Sequence, residues 1–301
     1  MRPAKPLPDH LHGRAIAVAA AADVGLSPAR LRDRAIDRPF RGVRSFGVDM
    51  SSVIGRASAY LPRLRPAEVF SHSTAAMLFG IPLPSALERD TVIHVTSTDV
   101  TRPRAVGVVG HRIRDLPRRR IAGMPVAAPA DVWCQLATQL ELADLIAAAD
   151  ALISGERLRG GYRTQPWCSV RDLHEAVDRH RPARGTAKLD AALPCVRAGV
   201  DSRRETLLRL LIIERGFPEP EVGRGVDVGD GTLLHPDLSY PDHKVAIEYE
   251  GDEHRTDRRR WADDISRVRA LEAAGWRVLR VTAADLVAPA GFLSALRAAL
   301  G

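Results

Sequence analysis

The chain has few aromatic residues and few cysteines. Aromatic residues make up 5% of the 301 positions, so a packed core must be built mainly from Ala, Val and Leu. The three cysteines, Cys134, Cys168 and Cys195, show no paired spacing, which argues against a zinc site or a disulfide framework. Unpaired thiols of this kind are typical of a reducing, cytoplasmic location, which we therefore expect.

Several motifs and segments are also missing. No apolar run reaches the length of a transmembrane helix, so we expect no membrane partner. The short run Ala15–Ala22 follows Arg14 and resembles the core of a signal peptide, but it consists mostly of alanine and ends at Asp23. It is therefore predicted to be a soluble helix. The sequence shows no internal repeat, phosphate-binding loop, dinucleotide fingerprint or nucleophile elbow.

Positive charge is concentrated in the front part of the chain. The whole sequence carries a formal charge of +7. Residues 201–301 contain 15 Lys and Arg against 18 Asp and Glu, a balance of −3, which leaves +10 for residues 1–200. Arginine suits phosphate contacts because its guanidinium donates bidentate hydrogen bonds. The asymmetry predicts a DNA partner held by the front part, and the codon bias of a GC-rich genome is the alternative explanation.

Carboxylates collect at the end of one predicted strand. Glu248 and Glu250 follow the apolar run Val245–Ile247, and Asp237 stands in a Pro-Asp step shortly before it. Side chains two positions apart on a strand share a face, so the two glutamates project together, with Asp237 on the neighbouring strand. Crowded carboxylates repel each other unless a cation lies among them, and Mg²⁺ (or Mn²⁺) prefers such oxygen ligands. The pattern predicts a metal site of these three acids; ordinary solvated acids are the alternative.

The segments after this strand have clear periodicity. Trp261–Ala274 is predicted to be a helix that ends at Gly275, and Trp276–Thr282 alternates as a half-buried strand. A last helix is predicted over about Phe292–Leu300. The expected order is strand, turn, strand with an acidic end, helix, strand and helix.

This combination resembles the PD-(D/E)xK nuclease superfamily and, more narrowly, a domain of unknown function related to the very-short-patch-repair endonucleases. The resemblance covers residues 201–301 and rests on Pro236-Asp237, Val245–Gly251, His254-Arg255, Asp263-Asp264 and Gly275–Arg280. It implies a restriction-endonuclease-like mixed sheet flanked by helices, and a metal-dependent endonuclease that hydrolyses DNA phosphodiester bonds.

The resemblance also assigns catalytic residues. The superfamily takes one acid from a helix before the first strand, and Glu205, in the first turn of a helix predicted over Asp201–Gly216, occupies that position. A favourable charge at a helix N-terminus is the alternative role of Glu205. The usual lysine of the superfamily is replaced by Glu250, so His254 is expected to orient or deprotonate water, together with Asp237 and Glu248 as catalytic acids. An inert surface histidine remains the alternative, and the missing lysine leaves activity open.

The first 65 residues have a basic pattern of their own. A helix over Arg14–Ala22, a turn and a second helix over about Pro28–Ile36 are predicted, with Ser27 as the N-cap. The segment Arg38–Arg44 after them resembles the basic wing of a winged helix-turn-helix, which implies DNA contact through the second helix and the wing. An ordinary helical hairpin with a solvated basic face is the alternative. The expected DNA-binding residues are Arg30, Arg32, Arg34, Arg38, Arg41 and Arg44.

Residues 66–153 resemble the AbiEi-type antitoxin family. The matching stretches are Phe70–Pro84, Val92–Ser97 and Gly123–Trp133. We therefore expect an α/β (α+β) protein with a winged helix-turn-helix domain at 1–65, an antitoxin-like α+β domain at 66–200 and an endonuclease-like domain at 201–301. The expected function is DNA cleavage, and the alternative is an inactive DNA-binding regulator or antitoxin-like protein. A toxin or a second copy of the chain is an open partner.

Overall fold

Helices and mixed β-sheets alternate along the chain. The structure, a computed structural model, describes residues 8–158, 162–229, 231–250 and 258–301, and for 258–264 it describes the backbone alone. The chain divides into two compact units, residues 1–139 with 179–184 and residues 140–178 with 185–301. Both units combine helices with sheets, which confirms the predicted α+β class. The division near residue 140 coincides with neither of the predicted domain boundaries, at 65 and 200.

The first unit begins with a two-stranded sheet. Strand β1 (Arg14–Ala17) pairs antiparallel with β2 (Val43–Phe46). The prediction of helices over Arg14–Ala22 and Pro28–Ile36 is therefore wrong, since between the two strands the chain forms only short 3₁₀ turns at Val18–Ala20, Ala22–Val24 and Arg30–Arg32. Helix propensity is a weak preference that tertiary contacts override. Here the competing contact is strand pairing around a small buried cluster of Leu11, Ala21, Leu26, Leu31, Ile36 and Phe46.

A five-stranded sheet forms the centre of the first unit, in the order β5-β4-β3-β7-β6. The pairs β3–β4 and β6–β7 are antiparallel, and the pairs β3–β7 and β4–β5 are parallel. Apolar residues of the inner strands, such as Phe70, Val95 and Val126, are fully buried. The strands are β3 (Glu68–Phe70), β4 (Ile93–Ser97), β5 (Val108–Arg112), β6 (Arg118–Ile121) and β7 (Met124–Ala127).

The helices of this unit lie between and after these strands. Helix α1 begins directly after its N-cap, Ser52. The Ser52 side chain accepts a hydrogen bond from the Gly55 N–H and so satisfies one of the free donors of the first turn. Trp133 of α4 is fully buried, and α4 packs against α2. The helices are α1 (Val53–Tyr60), α2 (His72–Leu78), α3 (Ser85–Glu88) and α4 (Pro129–Leu136).

The second unit combines a group of helices with a four-stranded sheet. The sheet has the order β13-β12-β11-β8, in which β11 pairs antiparallel with β8 and β12, and β12 pairs parallel with β13. A separate two-stranded sheet joins β9 to β10. The strands are β8 (Glu221–Val222), β9 (Val226–Asp227), β10 (Leu233–Leu234), β11 (Leu238–Tyr240), β12 (Val245–Glu250) and β13 (Arg277–Thr282).

The predicted order of strands and helices around the acidic strand is confirmed. After α9, Gly275 takes a left-handed φ of 81°, which a glycine adopts without strain and which ends the helix before β13. The helices are α5 (Leu142–Ser154), α6 (Val170–His180), α7 (Thr186–Ala192), α8 (Arg203–Glu214), α9 (Arg258–Ala273), α10 (Ala283–Val287) and α11 (Ala290–Leu300). Among the residues that the structure describes, no helix is both long and apolar enough to cross a membrane.

A buried ion pair joins two helices of the second unit. Arg209 of α8 is 1% exposed and its guanidinium lies 2.9 Å from Oδ2 of the fully buried Asp150 of α5. Asp150 also accepts hydrogen bonds from the Thr206 hydroxyl at 2.8 Å and the Arg197 N–H at 2.6 Å. Burial raises the pKa of Asp150, and the opposing charge of Arg209 lowers it. The packing of α5 against α8 therefore depends on a buried carboxylate, Asp150, that is stabilised by Arg209 and not by water.

Replacing Arg209 tests this dependence. Arg209→Met should destabilise the second unit by about 3–5 kcal/mol, because it leaves Asp150 buried without its counter-ion. Arg215→Met, at an exposed position just after the same helix, should change the free energy of unfolding by no more than about 0.5 kcal/mol. Urea denaturation followed by far-ultraviolet circular dichroism measures both, and equal stability of the two variants would contradict this role of Arg209.

Candidate functional site

The register of β11 against β12 places two acids at the same end of the sheet. Leu238 pairs with Ile247, so the next positions outward, Asp237 and Glu248, come opposite each other. The Tyr249 N–H donates a hydrogen bond of 2.7 Å to Oδ2 of Asp237, which fixes the aspartate against β12. The structure thus brings together Asp237 and Glu248, as their places in the sequence predicted.

A third acid comes from the first turn of α8. Ser202 is the N-cap and accepts a hydrogen bond from the Glu205 N–H at 3.2 Å. The carboxylate of Glu205 in turn accepts a hydrogen bond from the Asp201 N–H at 2.9 Å. This reciprocal arrangement satisfies two donors at the start of the helix. Unlike an ordinary capping glutamate, Glu205 is only 5% exposed.

Burial and neighbouring negative charge raise the pKa values of Glu205 and Asp237. Burial, together with the negative charge of Asp237, raises the pKa of Glu205 to about 8. Burial likewise raises the pKa of Asp237 to about 6, although the Tyr249 hydrogen bond and the charge of Arg267 oppose the shift. The charge of Asp201 also contributes to the raised pKa of both groups. Buried carboxyl groups whose ionisation is disfavoured create a site where an added positive charge would be stabilised.

Arginines pair with Glu248 and with Asp201, the residue whose N–H donates to Glu205, and the sequence did not predict these pairs. Arg267 of α9 lies 3.0 Å from Oε1 of Glu248. Arg157 and Arg163 each lie 2.5 Å from a carboxylate oxygen of Asp201. These arginines are distant in sequence from the acids they contact, so no local pattern could have indicated the pairs.

The remaining predicted catalytic residues have different surroundings. Glu250 is the last residue of β12, its side chain is 38% exposed, and it forms an ion pair with Arg280 of β13. Among the described residues, one group of three possible metal-ligand atoms lies within 4.8 Å of one another, and its atoms belong to histidines. The predicted catalytic acids form no such group among the described residues. The predicted role of His254 stays a prediction, because residues 251–257 lie outside the described part of the chain.

The arginines predicted to bind DNA lie in the 3₁₀ turns and loops between β1 and β2 and at the start of β2. Some of them stabilise the fold: Arg30 forms an ion pair with Asp33 at 2.9 Å, and Arg44 donates to the Leu31 carbonyl at 2.8 Å. Exposed positions in the same set are Arg32, Arg34, Arg38 and Arg41. No regular α-helix presents them, so insertion of a recognition helix has no structural basis in the described residues of this segment.

Two neighbouring clefts in the first unit carry a denser basic surface. The larger has a volume of about 1080 Å³, and the smaller, of about 460 Å³, shares Arg65 and Glu68 with it. The arginines that line the larger cleft are Arg63, Arg65, Arg102, Arg104 and Arg112. Those that line the smaller one are Arg65, Arg118, Arg119 and Arg120. Strand β5 contributes Arg112 to this surface, and β6 contributes Arg118, Arg119 and Arg120.

Three histidines meet in the first unit, and none of them lines the two basic clefts. His72 opens α2, His94 lies on β4 and His111 on β5. Nδ1 of His94 and Nε2 of His111 are 2.9 Å apart, and the rings of His72 and His111 stack with centroids 3.7 Å apart. Burial, together with the neighbouring histidines, lowers the pKa of His72 to about 2. Burial, together with His94 and Arg102, lowers the pKa of His111 to about 4. All three imidazoles are therefore expected to be neutral at pH 7, since burial also lowers the pKa of His94.

The backbone at His72 is unusual. Its φ of 50° lies in the left-handed region, which costs a residue other than glycine about 1–3 kcal/mol. Two hydrogen bonds hold it there: the His72 N–H donates to Oε1 of Gln135 at 3.0 Å, and the Ala75 N–H donates to the Ser71 carbonyl at 3.1 Å. No local pattern in the sequence indicates that His94 and His111 come close to His72, because the three residues lie far apart along the chain.

Comparison with known proteins gives relatives without a described activity. No protein-family model matches the chain, and no solved structure matches it. Two uncharacterized proteins of Mycobacterium tuberculosis, from strains CDC 1551 / Oshkosh and ATCC 25618 / H37Rv, are each 26% identical to it over 243 residues. The alignment covers 81% of this chain and 84% of each relative. Because 243 residues exceed the length of either unit, the similarity includes residues of both.

The shifted pKa of Glu205 predicts how stability depends on pH. Between the ordinary value near 4.5 and about 8, the folded protein holds a proton on Glu205 that the unfolded chain releases. This contribution to stability is present at low pH and is lost as the pH rises towards 8. Glu205→Gln, which is neutral at every pH, should therefore be less sensitive to pH between 6 and 8 than the wild type.

Urea denaturation in the presence of a chelator at pH 6 and pH 8 measures this difference. Glu214→Gln, an exposed position at the end of the same helix, is the matched control and should keep the pH dependence of the wild type. A Glu205→Gln protein whose stability falls with pH as steeply as that of the control would contradict the buried, protonated state of Glu205.

Proposed function

We propose that the second unit is a divalent-metal-dependent nuclease that hydrolyses phosphodiester bonds of DNA, with its active site at Asp237, Glu248 and Glu205. The observation that carries this proposal is the pairing of Leu238 with Ile247, which sets Asp237 opposite Glu248 at the end of the sheet. The buried carboxyl of Glu205 is near enough for the charge of Asp237 to raise its pKa. Acids from two adjacent strands and the preceding helix match the arrangement that the superfamily resemblance implies.

The donor atoms of this site fit Mg²⁺ or Mn²⁺. Carboxylate oxygens are the ligands that these hard ions prefer, and Mg²⁺ is commonly held by one or two carboxylates while it keeps several waters. Asp237 and Glu248 supply the two carboxylates of such a site, and Glu205 contributes through a water molecule. The site therefore does not need three ligand atoms close to one another. Burial is the main cause of the raised pKa values of Glu205 and Asp237, and an ion there would favour the ionised form of both carboxyl groups.

Each residue has a distinct part in the proposed reaction. A bound divalent ion would polarise the phosphate and lower the pKa of an attacking water. Asp237, fixed by the Tyr249 N–H, and Glu248 would hold the ion, and Glu205 would orient a water near it. Arg267, at 3.0 Å from Glu248, supplies the positive charge that the superfamily's lysine usually provides near the phosphate. Glu250 remains a proposed further ligand, and His254 the proposed group that orients the attacking water.

Cleavage assays on the full chain test the proposal. Supercoiled plasmid, single-stranded DNA and mismatched duplex should be incubated with Mg²⁺, with Mn²⁺ and with a chelator. We expect cleavage of at least one substrate that requires the ion. Asp237→Asn and Glu248→Gln should lower its rate by at least roughly a hundredfold, the usual effect of removing charge at a reacting centre. Asp242→Asn, an exposed aspartate in the turn between the same strands, is the matched control and should cleave normally.

A second candidate function has one observation in its favour. Glu248 and Glu250 form ion pairs with Arg267 and Arg280, and such pairs are what a site that no longer binds metal would contain. The chain would then be a DNA-binding regulator or antitoxin-like protein, with a toxin as its partner. Full-length protein that binds duplex DNA but cleaves none of the three substrates with either ion would support this second function and contradict the first.

The arginine-lined clefts of the first unit are the proposed DNA-binding surface. Phosphate contacts supply most of the affinity of such surfaces and make it fall with salt. Compared with the loops between β1 and β2, the clefts concentrate more exposed arginines around a concave surface, including Arg102, Arg104 and Arg119. The clefts are therefore expected to contribute more phosphate contacts than the 3₁₀ turns do.

Two triple variants compare these surfaces directly. Replacing Arg102, Arg104 and Arg119 by Ala should weaken binding of a duplex and reduce the slope of log K against log salt by up to about 3, roughly one per lost contact. The matched triple variant replaces Arg32, Arg34 and Arg41, which are exposed residues of the same unit, and should have a smaller effect. Fluorescence anisotropy across a salt series measures both, and a larger loss in the second variant would place the DNA on the N-terminal segment instead.

A further inference from the structure

We propose that His72, His94 and His111, in the first unit, bind Zn²⁺ or a similar divalent metal ion that prefers nitrogen ligands. This site shares no residue with the acids of the proposed nuclease site, and it does not depend on nuclease activity. Each histidine offers one ring nitrogen, and the three nitrogens lie within 4.8 Å of one another. Among the residues that the structure describes, no other group of three His, Cys, Asp or Glu side chains meets this condition.

The fold brings these histidines together from three separate elements. Strands β4 and β5 run parallel, with Thr96 opposite His111, so that His94 and His111 are diagonal neighbours. The start of α2 is tied to β4, because the Ser71 N–H donates to the His94 carbonyl at 3.1 Å and the His94 N–H donates to the Thr74 hydroxyl at 2.8 Å. These hydrogen bonds set His72 beside His94 and His111. The residue with the strained φ, His72, lies at this junction of α2 and β4.

The spacing of the nitrogens is close to that of metal ligands. In a tetrahedral zinc site with Zn–N distances near 2.0–2.1 Å, two ligating nitrogens lie roughly 3.3 Å apart. Nδ1 of His94 and Nε2 of His111 are 2.9 Å apart, so a displacement of a few tenths of an ångström would admit an ion between them. The nearly parallel rings of His72 and His111, inclined by 19°, allow nitrogens of both to point the same way.

Neighbouring side chains select which nitrogens are available. Nδ1 of His72 lies 3.1 Å from the Ser71 hydroxyl, so an N–H at that position leaves the lone pair of Nε2 for an ion. Nε2 of His94 lies 3.4 Å from the amide of Gln139, whose buried Oε1 has no hydrogen-bond partner. A half-turn of that amide brings Oε1 to Nε2–H and leaves Nδ1 of His94 free. Such outer contacts are a regular feature of metal-binding histidines.

The ligand chemistry identifies the class of ion. Imidazole nitrogen suits Zn²⁺, Co²⁺, Ni²⁺ and Cu²⁺, whereas Mg²⁺ and Ca²⁺ require oxygen ligands. Three protein ligands leave a fourth position for water, as in zinc sites that are open to a further ligand. His72 and His94 are 8% and 7% exposed, and His111 is partly exposed, so an ion would be reached from the side of β5.

Metal binding by the full chain, expressed without a polyhistidine tag, tests the proposal. Elemental analysis and calorimetric titration with Zn²⁺ should show one equivalent bound. Titration of the metal-free protein with Co²⁺ should give the intense visible bands of a tetrahedral ion. His111→Gln should abolish those bands and weaken Zn²⁺ binding at least roughly tenfold. His111 is the variant of choice because it is the least buried of the three and is the easiest to replace without unfolding.

Two controls make the outcome decisive. His12→Gln, an exposed histidine of the same unit, should leave the Co²⁺ spectrum unchanged, and so should Asp242→Asn, an exposed aspartate of the second unit that lies outside both proposed metal sites. Zn²⁺ should also raise the melting temperature of the wild type, because an ion that binds only the folded state stabilises it. That rise should be absent in His111→Gln. Sub-stoichiometric binding, or a spectrum and thermal shift that survive in a folded His111→Gln protein, would overturn the site.

Discussion

The pairing of β11 with β12 is the constraint on which the proposed active site depends. Leu238 and Ile247 are buried opposite each other, and this register alone puts Asp237 and Glu248 at one end of the sheet. A slip of one residue would turn every side chain of a strand to the opposite face. The parallel pairing of β12 with β13 buries Ile247 on a second side, so the register is held by apolar contacts and not by the acids themselves.

Much of the second unit could be predicted from its sequence. The apolar run Val245–Ile247 is short and uninterrupted, which is typical of a buried strand, and the helix before Gly275 has clear periodicity. Since Asp237 and Glu248 are adjacent to these local signals, their proximity followed from strand geometry. The ion pairs of Arg267 and Arg157 could not be predicted in the same way. They join residues far apart in the sequence, and the order of charged residues along the chain does not show which of them will pair.

In the first unit, tertiary contacts override the secondary structure that the local sequence favours. Alanine favours a helix at Ala15–Ala22, but pairing with Val43–Phe46 and the burial of a small apolar cluster favour a strand and 3₁₀ turns. The histidines His72, His94 and His111 are each unremarkable in sequence and become a group only through the folded sheet. The two proposed metal sites also differ in chemistry, because oxygen ligands in one unit and imidazoles in the other select different ions.

A crystal structure of the full chain grown with Mn²⁺ tests the central claim most directly, since anomalous scattering locates the ion without reference to any activity. We expect a manganese peak coordinated by Asp237 and Glu248, with Glu205 in contact through a water molecule and Arg267 turned towards the substrate side. Density that shows no ion at saturating Mn²⁺, with Glu248 still paired to Arg267, would contradict the claim that these carboxylates form a catalytic metal site.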